Sequence, residues 1–151
     1  MKKTIIAAAM ACASLASVGI CTSAFAQVGK SVIGPSLFFG GGSTNIGIDS
    51  KFGVSDNISV RPAIYFGNGA TAIGSGLTYD FDLKSASASK ITPYLGGFFF
   101  TGSNGGSTIA GVTGGADFDV NESFQLKGGI LIPITNGSNS TGITLGAGFK
   151  F

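Results

Sequence analysis

The sequence predicts an all-β protein, an eight-stranded antiparallel up-and-down transmembrane β-barrel. Three observations carry this expectation. Apolar residues alternate with small or polar ones at period two in eight successive segments. Gly/Asn/Ser clusters that suit tight turns separate the segments. Every charge inside the segments falls on the parity opposite the apolar residues.

The last segment shows the pattern most clearly. Ile143, Leu145, Ala147, Phe149 and Phe151 share one parity, and Gly142, Thr144, Gly146, Gly148 and Lys150 share the other. Reading back from it, the segments are residues 31–39, 45–54, 58–66, 71–83, 91–101, 108–120, 124–134 and 141–151. Most have the roughly 9–11 residues that a tilted strand needs to cross a bilayer. None of the connections has room for a crossover helix, so neighbours pair antiparallel, and eight such strands close without a free edge. Glycine supplies 26 of 151 residues, against a usual share of roughly 7%, and no Gly-X-Y period accompanies it.

Residues 1–26 read as a cleaved secretory signal peptide. Lys2 and Lys3 precede an alanine-rich apolar run, and Ala24-Phe25-Ala26 fits the cleavage pattern. The barrel domain is then residues 27–151. Cys12 and Cys21 both lie in the removed segment, which leaves no thiol or disulfide chemistry in the domain. Without Lys2 and Lys3 the chain has seven basic and seven acidic residues, a balance that does not suit a nucleic-acid partner.

Periodicity does not say which face is inside. A soluble barrel buries its apolar parity, whereas a membrane barrel turns it to lipid. The charges decide for the membrane. Asp49 and Lys51 oppose Ile46, Ile48 and Phe52; Arg61 opposes Ile58, Val60 and Ile64; Asp80 and Asp82 oppose Leu77, Tyr79 and Phe81. Asp117 and Asp119 oppose Phe118 and Val120, Lys127 opposes Leu126 and Ile130, and Lys150 opposes Phe149 and Phe151. A charge facing lipid at the midplane costs about 2–4 kcal/mol, so these nine belong in the lumen. The rest of that parity is largely Gly, Ser, Thr and Ala, as a narrow eight-stranded interior requires.

With both termini on the periplasmic side, the charges gather in the periplasmic half of the lumen. Arg61 is expected to bond at least one of the aspartates, so that the cluster plugs the barrel. Leu37, Phe39, Tyr65 and Leu131 are expected in the outer half, with Phe98 and Phe100 if the fifth strand turns that face inward. There Tyr94, Phe98 and Phe100 compete with Ile91, Leu95 and Phe99 for the lipid side. Pro35, Pro62, Pro93 and Pro133 all fall in odd-numbered strands, and each should mark a bulge or a missing ladder bond. Without Trp, the aromatic girdles rest on Tyr and Phe.

No histidine occurs anywhere, so Ser-His and Cys-His nucleophile pairs are excluded and no enzyme is expected. No cofactor or metal is expected either. The Asp80/Asp82 and Asp117/Asp119 pairs have the oxygen donors of a hard-cation site. Arg61, Lys51 and Lys127 are nearby to neutralise them, which favours ion pairing. The outer connections, residues 40–44, 67–70, 102–107 and 135–140, carry neither charge nor a large apolar anchor. Specific binding through loops is therefore disfavoured.

Over residues 27–151 the sequence resembles the small bacterial outer-membrane β-barrel family, similar to the OmpA barrel domain and OmpX. The residues that carry the resemblance are the leader, the eight strands, Tyr79-Asp80, Pro93-Tyr94 and the Phe149-Lys150-Phe151 ending. The resemblance implies outer-membrane localisation and contact with lipid and lipopolysaccharide. It implies delivery by periplasmic chaperones to the barrel assembly machinery, with Phe149 and Phe151 as the assembly signal, and a monomeric state. It brings no shared catalytic residues, and no wall-anchoring domain is expected after Phe151. The function expected is a structural or surface role with a lumen plugged by ion pairs. The alternative is a small porin-like passage, or a binding barrel for a small apolar solute.

Overall fold

The computed structural model describes residues 31–67, 69–81, 83, 90–103, 108–135 and 140–151. The expected signal peptide, the 84–89 stretch and Asp82 lie outside the described residues. The eight strands are β1 (Val32–Gly40), β2 (Ser43–Gly53), β3 (Ile58–Gly67), β4 (Ala70–Asp80), β5 (Ile91–Gly102), β6 (Ile109–Asp119), β7 (Phe124–Pro133) and β8 (Gly142–Lys150). They form a closed barrel in sequence order, with β1 paired to β8.

The first hairpin shows how local sequence sets the pairing. Gly40 pairs with Ser43 across Gly41 and Gly42, whose φ values of 60° and 75° make the two-residue turn that matches strand twist. Each strand pair keeps a single register. With each register extended along its strands, the aligned positions run around the wall from Val32 to Lys51 and Arg61, then through Gly76, Phe98, Gly111 and Pro133 to position 140. From position 140 the path returns to β1 at position 42, ten residues from its start. That stagger tilts the strands and fixes the barrel width.

Two of the four prolines leave gaps in pairing, the other two sit at ladder or strand ends, and none makes a bulge. On the β8 side of Pro35, pairing lapses between Ile33↔Phe149 and Ser36↔Gly146. On the β2 side of Pro62 it lapses between Asp49↔Ala63 and Phe52↔Val60. Pro93 lies just past the Asp80↔Tyr94 end of the β4–β5 ladder, and Pro133 closes β7.

Burial is inverted relative to a water-soluble barrel. Ile46 is 64% exposed, Leu95 57% and Phe149 64%, whereas Asp117 is wholly buried and Lys51 is 6% exposed. The apolar parity faces outward and the charged parity faces the lumen, which is the membrane arrangement. Outward Phe52, Tyr79, Phe81, Phe118, Phe124, Phe149 and Phe151 lie on the half of the wall that carries the chain ends. Edge-to-face contacts join Phe52 with Phe151 and Phe124 with Phe149.

Two expectations about parity resolve here. In β5, Tyr94 and Phe98 are buried while Ile91, Leu95 and Phe99 are exposed, so the Tyr94 face is lumenal. In β1, Leu37 and Phe39 do not enter the lumen. Val32 pairs with lumenal Lys51, and Phe38 shares the parity of Val32, so Phe38 points inward and Leu37 outward. Apolar residues occupy both parities of this strand, so register against β2 decides its face.

Candidate functional site in the lumen

The interior is built in two tiers. The tier towards the chain ends is ionic. Arg61 on β3 donates through Nη2 to Asp117 Oδ2 at 2.7 Å and through Nη1 to Asp117 Oδ1 at 3.1 Å. The same Nη2 lies 3.2 Å from Asp80 Oδ1. Lys51 on β2 joins the same two carboxylates, 2.7 Å from Asp80 Oδ2 and 2.8 Å from Asp117 Oδ2. Two cations and two anions thus close into one network that ties β2, β3, β4 and β6 together. Fork geometry explains why an arginine serves at Asp117, since its N–H groups match both oxygens of one carboxylate.

Neutral partners complete the shell. Thr78 Oγ accepts from Arg61 Nε at 3.0 Å, and Ser59 Oγ donates to Asp80 Oδ2 at 2.7 Å. The Tyr94 ring lies against the guanidinium, its centroid 3.7 Å from Arg61 Cζ. Sequence reading did not assign Ser59 or Thr78 to this site. Their strands' parity places them on the charged face, but only the cross-strand register brings them to Arg61 and Asp80.

Two further pairs flank the network. Lys127 on β7 reaches across the lumen to the Asp49 carboxylate on β2 and to the Asp49 carbonyl at 3.2 Å. Lys150 Nζ sits 3.0 Å from Asp119 Oδ2, and Gln125 Nε2 donates to Asp119 Oδ1 at 2.7 Å. Eight of the nine predicted charges are therefore lumenal and paired in the structure; Asp82 is outside the described residues. Among the described residues, no group of three or more His, Cys, Asp or Glu side chains is placed to hold a metal ion.

The second tier is an apolar cup towards the β1–β2, β3–β4, β5–β6 and β7–β8 hairpins. Its volume is about 310 Å³. Tyr65, Phe98 and Leu131 are buried at its base, and Phe38 and Phe100 stand in its wall. Beneath it a small void of about 60 Å³ is lined by Asp49, Arg61, Tyr94 and Lys127, where the two tiers meet.

Comparison of folds places this geometry. No protein-family model matches the sequence, and no curated protein matches it. Solved structures do. The N-terminal β-barrel domain of Pseudomonas aeruginosa OprF matches with a TM-score of 0.61 at 16% identity, over 83% of this chain and 100% of that one. The chain has the fold of the small outer-membrane β-barrels. A de novo designed transmembrane β-barrel matches with a TM-score of 0.68 at 12% identity, covering 83% of this chain and 98% of the other. The designed barrel TMB2.3, solved by solution NMR, scores 0.61 at 12% identity, covering 80% and 92%. A shared fold does not by itself fix an activity, so function rests on the chemistry of the lumen.

Proposed function

We propose that the protein is an integral outer-membrane barrel with a structural or surface role, its lumen closed by ion pairs. The observation that carries the reading is the Lys51–Arg61–Asp80–Asp117 network. It links four strands at the level where Asp117 is wholly buried. A water-filled pore keeps its lining charges solvated, whereas here each carboxylate is taken up by cations and hydroxyls from the wall.

The same reading takes residues 1–26 as an export signal and residues 27–151 as the mature domain. It takes outer-membrane lipid and lipopolysaccharide as the surroundings of the exposed apolar wall, and the monomer as the working unit. Phe149 and Phe151, exposed on the outer wall at the end of β8, are accessible to an assembly machine and serve as the signal it reads, after periplasmic chaperones have delivered the chain. Histidine is absent from the whole sequence and cysteine from residues 27–151, which supports a non-enzymatic role.

Fractionation of expressing cells tests the membrane reading. The protein is expected in the outer-membrane fraction, migrating as a compact form on gels unless boiled. Release by osmotic shock would contradict it, as would the lack of any heat-modifiable form.

The alternative, a passage or binding barrel, draws support from the cup alone. The ionic tier beneath the cup favours binding over passage.

A further inference from the structure

We propose that the hairpin-side cup is a binding site for a small, neutral, planar aromatic molecule of one or two rings. The proposal goes beyond the structural role above and shares with it only the ionic tier as floor.

The cup is built in a way that packing alone does not demand. Its aromatic rings lie close against the wall because glycines on neighbouring strands leave room for them. A methyl at Gly142 would overlap the Phe38 ring, one at Gly47 would meet Tyr65 Cδ1 at 2.5 Å, and one at Gly74 would meet Phe100 Cδ1 at 2.5 Å. Rings held against the wall leave the axis open, whereas rings crossing the lumen would have filled it. The ring centroids form a connected arc: Phe38 to Tyr65 at 5.6 Å, Tyr65 to Phe100 at 5.8 Å, and Phe100 to Phe98 at 5.8 Å. Neighbouring rings in the arc are tilted to one another by 44–53°.

The chemistry of the lining selects the guest. Among the described residues no charged side chain lines the cup, so an ion would enter without a counter-charge and lose its hydration. A sugar, with many hydroxyls, would find few partners at a base made of Tyr65, Phe98 and Leu131. An aromatic ring gains face and edge contacts with the arc. Asn45 and Ser140 on the hairpin side offer one or two hydrogen bonds to an N–H or O–H group. The volume of about 310 Å³ equals that of ~10 liquid waters, which limits the guest to a small ring system.

Indole is a suitable probe: neutral, bicyclic and water-soluble, with one N–H donor. The experiment titrates indole into the refolded, methyl-labelled barrel in detergent micelles and follows methyl resonances by NMR. Leu131 and Ile109 report the cup, and Leu145 on the outer wall reports uptake by the micelle. Saturable shifts at Leu131 and Ile109, half-complete at or below about 1 mM, are expected, with only linear drift at Leu145. Ala72→Trp, which fills the cup from β4, should weaken binding at least about tenfold. Phe100→Ala, which removes one wall while leaving Ala72 in place, should weaken it severalfold. The proposal is overturned if the Leu131 shift fails to saturate or merely parallels Leu145. It is overturned equally if both variants respond as the parent does. Neither result bears on whether the ionic tier blocks conduction, which is read by electrical recording.

Discussion

Arg61 and Asp117 face each other across the lumen from β3 and β6, joined by two hydrogen bonds of 2.7 and 3.1 Å. Three strand-to-strand steps separate them around the wall, so the pair ties opposite sides of the barrel rather than neighbours. Removing one partner of a buried pair leaves an uncompensated charge. Arg61→Ala should therefore lower the unfolding free energy by about 3–5 kcal/mol. Lys51→Ala should destabilise too, and the double variant should lose more than the sum, because either cation alone still serves the same two carboxylates. Urea unfolding in lipid vesicles, followed by the unboiled gel shift, checks the set.

Gly96 and Gly97, adjacent on β5, should respond oppositely to alanine. A methyl on lumenal Gly96 would overlap the Leu77 carbonyl oxygen and come within 2.7 Å of Thr78 Cα, both main-chain atoms of β4. Neither can swing aside, so Gly96→Ala should cost about 1–3 kcal/mol. A methyl on outward Gly97 would find only the Gly111 carbonyl at 3.6 Å, an ordinary contact, and should change stability by no more than about 0.5 kcal/mol. The two urea midpoints decide it, and equal losses would show that the wall relaxes.

Single cysteines offer a test of strand parity, since residues 27–151 contain none. Phe38→Cys should react with a membrane-impermeant maleimide added outside intact cells, because the cup opens on the hairpin side. Phe39→Cys, on the lipid parity, should react far more slowly. The reverse order would mean that β1 is turned over or its register displaced by one residue.

How much of this was legible beforehand differs from strand to strand. In β8 the alternation of Ile143, Leu145, Ala147 and Phe149 with glycines admits one reading, and the structure follows it. Strand count, antiparallel order and the outward apolar face were legible for the same reason: lipid penalises any charge on the wrong parity. β1 was not legible, because Val32, Ile33, Leu37, Phe38 and Phe39 place apolar groups on both faces. A lumenal aromatic such as Phe38 is tolerated only because Gly142 on the neighbouring strand makes room for it. That fit lies between strands and is invisible along one of them. Pairing within the charged tier was legible only in kind. Which aspartate Arg61 would take, and that Lys127 would cross to Asp49 rather than bond its direct cross-strand neighbour Asp117, depend on the ten-residue stagger.

The central claim is that the ionic tier closes the lumen, and conductance in a planar bilayer tests it most directly. Refolded, heat-modifiable protein of the parent sequence is predicted to give silence or brief irregular flicker, while Arg61→Ala gives larger or more frequent openings. Steady, well-resolved conductance steps from the parent protein, altered in size by Asp80→Asn or Arg61→Ala, would contradict the account and establish a path through the barrel.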